Sequence, residues 1–219
     1  ICRSRGVPLI IDASQSAGVL PLSMEALGAA FIAMPGHKGL YGPQGTGVLL
    51  CGEGVPARPL LEGGTGSLSI QQGMPDFLPD RLEAGTLNMP GISGLLAGVR
   101  YVRRGGPEKI LDHEKHLTQM AVQGLEALPG LRLFTAPGLR NQTGVLSLTA
   151  EGMDVEAVGS ALAERSIAVR TGLHCAPVAH RTAGTLDTGT VRISFSDFNT
   201  PEEVARLVRV FHGVLGRLF

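Results

Sequence analysis

The chain has 219 residues, of which 43% are hydrophobic and 17% charged, and 19 basic and 19 acidic side chains leave a formal net charge of zero. This composition is typical of a folded protein of one large or two small domains, and the charge balance argues against a nucleic-acid or membrane partner. Since no apolar run approaches the ~18 residues of a membrane span, we also expect no transmembrane segment. The cysteines, at positions 2, 51 and 175, form neither a metal-binding spacing nor an even disulfide set, which favours a reducing, cytoplasmic location.

The first part of the chain alternates short apolar runs with turns. The runs at 7–12, 30–34 and 47–51 predict β-strands, and the first has the composition of a buried parallel strand. A short helix or turn is predicted at 22–29. A long irregular segment rich in Gly, Pro and Ser follows at 52–80, and loops of that length are usually functional or disordered.

The second part of the chain predicts helices and strands in alternation. A helical pattern begins at Gly91, and Pro107 opens an amphipathic helix that ends before the Pro–Gly pair at 129–130. The remaining predicted elements are strands at 131–134, 144–149, 167–170 and 190–195, and helices at about 154–165 and from about 200 onward. Because the first strand has no preceding strand to pair with, we expect the chain to be the carboxyl-terminal portion of a longer polypeptide.

The nine residues PGHKGLYGP at 35–43 predict a shaped loop, because three glycines and two prolines exclude a helix. The loop follows the predicted strand at 30–34, and ligands of open α/β sheets bind at the carboxyl ends of strands. Lys38, preceded by His37, is therefore a candidate active-site lysine, although a lysine in a glycine-rich loop is by itself more often a solvated surface residue.

Other polar side chains accompany further predicted strands. Asp12 ends the first strand, Arg170 and Cys175 flank a loop, and Arg192 lies within a strand. Each alone has an ordinary explanation, such as a helix cap, a core thiol or an arginine that reaches solvent. Together, Asp12, Lys38 and an arginine meet the needs of pyridoxal phosphate chemistry, which are a Schiff-base lysine, a carboxylate at the pyridine nitrogen and a guanidinium for the substrate carboxylate.

Five motifs carry a resemblance to a known family. In chain order they are DASQSAG, GHKGLYGPQGTGVL, RLEAGTLNMPGISGL, RTGLHCAP and VRISFSDFNTPEEV. They resemble the class V aminotransferases among the fold-type I pyridoxal phosphate enzymes, and within that family they are most similar to cysteine desulfurases and selenocysteine lyases. The resemblance covers nearly the whole chain but lacks the family's amino-terminal part. It implies an α/β fold, with the carboxyl-terminal portion of a mainly parallel large domain at 1–105 and a small α/β domain at 106–219.

The resemblance also implies a role for each matching residue. Lys38 would be the Schiff-base lysine and proton shuttle, and Cys175 would take the substrate's sulfur as a persulfide. Arg192 would bind the substrate carboxylate, with Arg170 in the same pocket. The cofactor-binding set would be Asp12 at the pyridine nitrogen, Gln15 at the phenolic oxygen, His37 near the phosphate, Lys38 at the Schiff base, and Thr86 at the phosphate of the neighbouring subunit. The Thr86 role implies a homodimer.

The expected reaction is the conversion of L-cysteine to L-alanine with a persulfide on Cys175. We expect the neighbouring His174 and Arg170 to favour the thiolate, which is the nucleophilic form. A protein that accepts the sulfur is a further candidate partner, and no metal site is expected. Two alternatives stay open: another class V enzyme, such as an aminotransferase or selenocysteine lyase, and a truncated fragment without catalytic activity. Cys175 separates the desulfurase from an aminotransferase, because transamination does not need a thiol. The absorbance of the bound cofactor separates the enzymes from the fragment.

Overall fold

The computed structural model describes residues 1–218, with side chains described up to residue 216, and forms two compact units. The first unit is Ile1–Glu108 and the second begins at Lys109. The mixed α/β class is as predicted. The predicted domain identities, a cofactor-binding portion at 1–105 and a small domain at 106–219, stay predictions. Among the described residues, no helix combines the length and the apolar character that crossing a bilayer requires.

The first unit is built on a three-stranded sheet in the order β1-β2-β3, formed by Ile10–Asp12, Phe31–Pro35 and Gly47–Cys51. β1 is parallel to β2, as predicted, and β3 is antiparallel to β2. The prediction that the first strand is buried is wrong, since Ile10 is 68% exposed. β1 is an edge strand of this sheet, and its neighbour Ile11, which points to the opposite face, packs on the core instead.

Two helices complete the first unit. α1 (Met24–Leu27) is short, and α2 (Met89–Gly105) begins two residues before the predicted start. Asn88 caps α2, because its side-chain oxygen accepts the Gly91 N–H at 3.1 Å. The core of the unit joins α2 to the sheet and to the loop that follows β2; its buried members are Ala13, Ala17, Ala29, Ile32, Leu40 and Leu95.

The second unit contains a four-stranded antiparallel sheet in the order β4-β5-β7-β6 and the helices that pack on it. The strands are Leu131–Phe134, Val145–Ala150, Arg170–Gly172 (β6) and Thr190–Ser194 (β7), and the helices are α3 (Pro107–Glu126), α4 (Val155–Ala163), α5 (Pro177–Ala183) and α6 (Pro201–Leu218). Leu146 and Leu148 lie on the same, buried face of β5, because they are two residues apart. They form one core with Leu125 of α3 and Phe211 of α6. The predicted helices over α3 and α6 are confirmed, and so is the strand at β4.

Two predicted elements of this unit differ from the structure. The strand predicted at 167–170 begins only at Arg170, because the Ile167 N–H donates to the Leu162 carbonyl at 3.0 Å and closes the end of α4. The helix α5 was not predicted, and Pro177 is its first residue. Seven residues are too few to show a helical period in sequence, and proline at a first helical position is favourable.

A buried carboxyl group on α3 predicts a pH dependence of stability. Glu114 is 6% exposed, and burial raises its pKa from the ordinary value of 4.5 to about 7. A hydrogen bond from the Gly144 N–H lowers this pKa, and the negative charge of Asp197 raises it. Since the unfolded chain releases this proton near 4.5 and the folded chain near 7, stability falls as the pH rises through this window. Glu114→Gln should therefore be more stable than the parent at pH 8 by roughly 1–3 kcal/mol, and nearly equal to it at pH 5.

Urea unfolding at pH 5 and pH 8, followed by circular dichroism, measures this difference. The matched control is Glu126→Gln on the same helix, where the side chain is exposed and the substitution should leave the pH profile unchanged. A Glu114→Gln profile parallel to that of the parent would contradict the assignment.

Candidate active site

The loop after β2 holds Lys38 outside the sheet. The Gly36 N–H donates to the Thr46 carbonyl at 2.8 Å, the Gly42 N–H to the Gly36 carbonyl at 2.7 Å, and the Tyr41 N–H to the Lys38 carbonyl at 2.9 Å. These bonds close the loop on itself through the backbone, and the Lys38 side chain is exposed. The shaped loop that follows a strand is as the sequence predicts.

The glycines of this loop are required by close backbone contacts. A Cβ on Gly39 would overlap the Ala17 carbonyl, and one on Gly18 would overlap the Gly39 carbonyl. A Cβ on Gly98 of α2 would overlap the Leu40 carbonyl. The lysine loop is thus held in backbone contact with the turn after β1 on one side and with α2 on the other, which only glycine permits.

Asp12 and Lys38 come together at one edge of the sheet, because β1 and β2 are parallel. The Asp12 carboxylate accepts the Ser14 N–H at 2.8 Å. Hydrogen bonding by Ser14, through its hydroxyl and its N–H, holds the pKa of Asp12 below its ordinary value, and the nearby Lys38 charge lowers it further. Asp12 is therefore ionised at neutral pH, as a partner for a protonated ring nitrogen must be.

The other three predicted cofactor residues of this unit are exposed: Gln15 in the turn after β1, His37 before the lysine, and Thr86 in the loop before α2. The Gly85 N–H donates to the Gly64 carbonyl at 2.9 Å, so the Thr86 loop is tied to the glycine-rich segment. Their roles toward a cofactor stay predictions.

In the second unit, Arg170, Cys175 and Arg192 form a cluster. Arg170 of β6 and Arg192 of β7 are paired across the sheet, and the Arg170 Nη2 donates to the Cys175 Sγ at 3.6 Å. Cys175 is exposed. The exposed thiol and two guanidinium groups therefore share one end of the sheet, and they combine a nucleophile with cations suited to a carboxylate.

Arg192 is the most buried residue of this cluster. It is half-buried, and within the described residues its buried Nε has no hydrogen-bond partner. Burial and the charge of Arg170 lower its pKa below the ordinary value, while the proximity of Cys175 acts in the opposite direction. An arginine with a buried donor left open is suited to bind an anion such as an amino-acid carboxylate.

Cys175 lies at the tip of a tight turn that the sequence did not predict. His174 and Cys175 both have positive φ angles, 51° and 61°, and the Ala176 N–H donates to the Leu173 carbonyl at 2.8 Å. Two consecutive residues other than glycine in the left-handed region are uncommon, and such backbone occurs preferentially at functional sites.

His174 does not contribute the charge that the sequence led us to expect. Its Nε2 lies 2.9 Å from the Thr190 Oγ1, and the ring is partly buried. Burial lowers the pKa of His174, and the charges of Arg192, His180 and Arg170 lower it further. The imidazole is therefore neutral at pH 7, and the expectation that it favours a thiolate by its charge is wrong; Arg170 is the cation that contacts the sulfur.

Comparison with known proteins identifies the family. Residues 1–207 match the family model described as aminotransferase class-V. This chain belongs to the class V aminotransferase family. Among curated class V relatives, a probable cysteine desulfurase of Methanothermobacter thermautotrophicus is 36% identical over 99% of this chain and 55% of its own length. A cysteine desulfurase of Escherichia coli O8 is 35% identical over 99% of this chain and 54% of its own length.

Solved structures agree with the class V assignment. The apo structure of the cysteine desulfurase from Thermococcus onnurineus NA1 matches with a TM-score of 0.85 and 35% identity, covering 97% of this chain and 53% of that chain. The cysteine desulfurase CsdA from Escherichia coli, in an S-sulfonic acid form, matches with a TM-score of 0.87 and 30% identity, covering 98% and 53%. The chain thus spans about half the length of the relatives it matches.

Class V aminotransferases are pyridoxal phosphate enzymes, and the residues of the first unit fit that group. The chain has three lysines, of which Lys109 and Lys115 lie on α3 and Lys38 alone lies at a strand end. That lysine is exposed beside an ionised Asp12. An amine to hold an aldehyde and a carboxylate to hold a pyridinium nitrogen are the chemical requirements, and this edge of the sheet supplies both.

Proposed function

We propose that the complete protein is a pyridoxal phosphate-dependent cysteine desulfurase that converts L-cysteine to L-alanine and carries the sulfur as a persulfide on Cys175. The observation that carries this proposal is the exposed Cys175 thiol, which accepts a hydrogen bond from Arg170. Arg170 is in turn paired with Arg192 on the neighbouring strand. A transaminase has no use for a thiol at that position. Relatives named as cysteine desulfurases support the same substrate class.

Asp12, Gln15, His37 and Lys38 would hold the cofactor in the first unit, and Thr86 would reach the phosphate in a neighbouring subunit. When bound, pyridoxal phosphate supplies an electron sink for the substrate's α-carbon. Asp12 suits its role because its carboxylate is ionised and fixed by Ser14. Lys38 suits its role because the loop that carries it is held by backbone contacts on both sides.

Lys38 would also act on the substrate, together with the two arginines and the cysteine predicted for substrate binding and catalysis. Arg192 would donate to the substrate carboxylate, with Arg170 adding positive charge in the same cluster. Lys38 would take the α-proton at its Nζ. The Cys175 thiolate would then attack the substrate sulfur, so that an Sγ–S bond forms as the sulfur–Cβ bond breaks. The electron pair of the broken bond stays with Cβ, which takes up a proton, and Lys38 would return the α-proton to the α-carbon to give alanine.

The test of this proposal is product analysis of the complete protein with pyridoxal phosphate, L-cysteine and dithiothreitol. We expect equal amounts of alanine and sulfide, since dithiothreitol releases the persulfide sulfur as sulfide and becomes oxidised. Amino transfer to a 2-oxo acid without sulfide would establish an aminotransferase instead. Turnover of L-selenocysteine alone would establish a selenocysteine lyase. Failure of the 219-residue chain itself to bind the cofactor, in absorbance spectra, would support the non-catalytic fragment.

Asp12→Asn tests the carboxylate at the ring nitrogen. Asparagine keeps the oxygen that accepts the Ser14 N–H, so the turn after β1 should persist while the negative charge is lost. In the complete protein we expect the variant to bind the cofactor and to lose turnover by about a hundredfold or more, the scale of a lost preorganised electrostatic contact. Alanine production and cofactor content measure the two effects separately. Turnover within a few fold of the parent, with the cofactor bound, would exclude this role for Asp12.

We further infer that the complete protein is a cytoplasmic homodimer that passes its sulfur to an acceptor protein. The support for the dimer is the class V resemblance at Thr86, whose loop is exposed. The support for an acceptor is the exposure of Cys175, which leaves the thiol accessible to a second macromolecule.

A further inference from the structure

The turn that carries Cys175 is fixed to β7 through the side chain of His174. We propose that His174 is a positioning residue, whose hydrogen bond to Thr190 holds the left-handed turn and so keeps the Cys175 sulfur beside Arg170. This inference rests on the proposed role of Cys175 as the sulfur-accepting nucleophile. It concerns the presentation of the thiol and assigns His174 no contact with the reacting atoms.

Thr190 is a fixed point for this bond. It is the first residue of β7, it is 3% exposed, and it pairs with Gly172 at the end of β6. A Cβ on the preceding Gly189 would lie 2.8 Å from the Cα of Gly172, so the two backbones are in close contact here. The Thr190 hydroxyl is thus held by the sheet, and the 2.9 Å bond to the His174 Nε2 transfers that constraint to the turn.

The helix that follows Cys175 also contacts the His174 ring. His180 of α5 is 6% exposed, and its Nδ1 lies 2.8 Å from the Thr185 Oγ1. The rings of His174 and His180 are 5.5 Å apart between centroids at a tilt of 49°. Cys175 therefore sits between a histidine tied to β7 and a helix that packs against that histidine.

The contribution of His174 is geometric because the ring is neutral. Burial, with Arg192 next, lowers its pKa, and a neutral ring adds no charge to the thiol. A protonated His174 would be a third cation close to Arg170 and Arg192 and would add repulsion among like charges. The effect of His174 on the sulfur is expected to act through Arg170, whose Nη2 contacts the Sγ in the observed turn geometry.

Alkylation of Cys175 by iodoacetamide at pH 7 tests the inference on this chain without cofactor or activity. Mass spectrometry of the peptides separates Cys175 from Cys51, which lies in the first unit and serves as an internal control for the alkylation reaction. Thr190→Val removes the hydroxyl at nearly constant volume and should lower the Cys175 rate about threefold or more, the scale of one hydrogen bond. Thr190→Ser keeps the hydroxyl and should alkylate at the parent rate.

A second pair of variants gives an independent result. Glutamine can place an amide where the His174 Nε2 lies, so His174→Gln should retain the parent rate, whereas His174→Leu should lose it as Thr190→Val does. If Thr190→Val unfolds, seen by circular dichroism, the His174 pair decides.

The dependence on Arg170 distinguishes positioning from a general structural role. In an Arg170→Met background, Thr190→Val should have no further effect on the Cys175 rate, because the contact that it disturbs is already gone. Equal rates in Thr190→Val and Thr190→Ser, or effects of Thr190→Val and Arg170→Met that multiply, would overturn the inference. Absence of alanine formation by the complete protein would overturn the proposed function and leave these alkylation rates as they are.

Discussion

Cys175→Ala in the complete protein is expected to abolish the formation of alanine and sulfide from L-cysteine, with a loss of about a thousandfold or more, as when a catalytic nucleophile is removed. The physical reason is that, among the described residues of the second unit, Cys175 alone combines an exposed thiol with a contacting guanidinium. The fold should persist, because the side chain is exposed at a turn and contributes little to the core. Product analysis and circular dichroism measure the two parts.

The controls for this substitution are the other two cysteines and a second substrate. Cys2→Ala and Cys51→Ala lie in the first unit and should keep the parent rate. Selenocysteine should still be processed by Cys175→Ala, since selenium leaves more readily than sulfur. If Cys175→Ala makes alanine from cysteine at the parent rate, Cys175 is not the nucleophile, and the broader aminotransferase interpretation replaces the desulfurase.

Lys38→Ala in the complete protein is expected to lose turnover by about a thousandfold or more and to lose covalent retention of the cofactor. The chain has only two other lysines, Lys109 and Lys115, and both lie on α3. Reduction of the parent with borohydride should therefore attach pyridoxyl to the peptide that contains Lys38 and leave the α3 peptides that contain Lys109 and Lys115 unmodified.

Lys38→Arg separates the charge of this side chain from its chemistry. Arginine preserves a positive charge near Asp12 and the closed backbone of the loop, yet a guanidinium is a poor nucleophile toward an aldehyde. It should bind the cofactor at most non-covalently and be as inactive as Lys38→Ala. Lys115→Ala is the matched control and should behave as the parent. A covalent pyridoxyl adduct that survives in Lys38→Ala would show that another amine is the attachment site.

Several features of the fold were predictable because they depend on local sequence. The period of α3 and the proline at its start determine a helix whatever it packs against. The glycines and prolines at 35–43 exclude regular structure, and the apolar run before them predicts β2, which together place Lys38 at a strand end. Strand ends of parallel neighbours share one edge, so the proximity of Asp12 and Lys38 also follows once β1 and β2 are recognised.

Other features depend on residues far apart in sequence, and only the tertiary structure decided them. The exposure of Ile10 depends on β1 being an edge strand of its sheet, which its own composition does not encode. The late start of β6 reflects the use of the Ile167 N–H to end α4.

At the candidate site the sequence by itself determined which residue types are present, namely a lysine in a glycine-rich loop, an aspartate at a strand end, and a cysteine close to arginines. The tertiary structure decided how they act on one another. Pairing of β6 with β7 places Arg170 opposite Arg192 and, through the turn, within 3.6 Å of the Cys175 sulfur. Burial beside those two cations makes His174 neutral, which reverses the role that its position in the sequence suggested. The reason is that pKa values and hydrogen bonds depend on desolvation and on charges that folding brings close together. Neither can be inferred from the adjacent residues in the sequence.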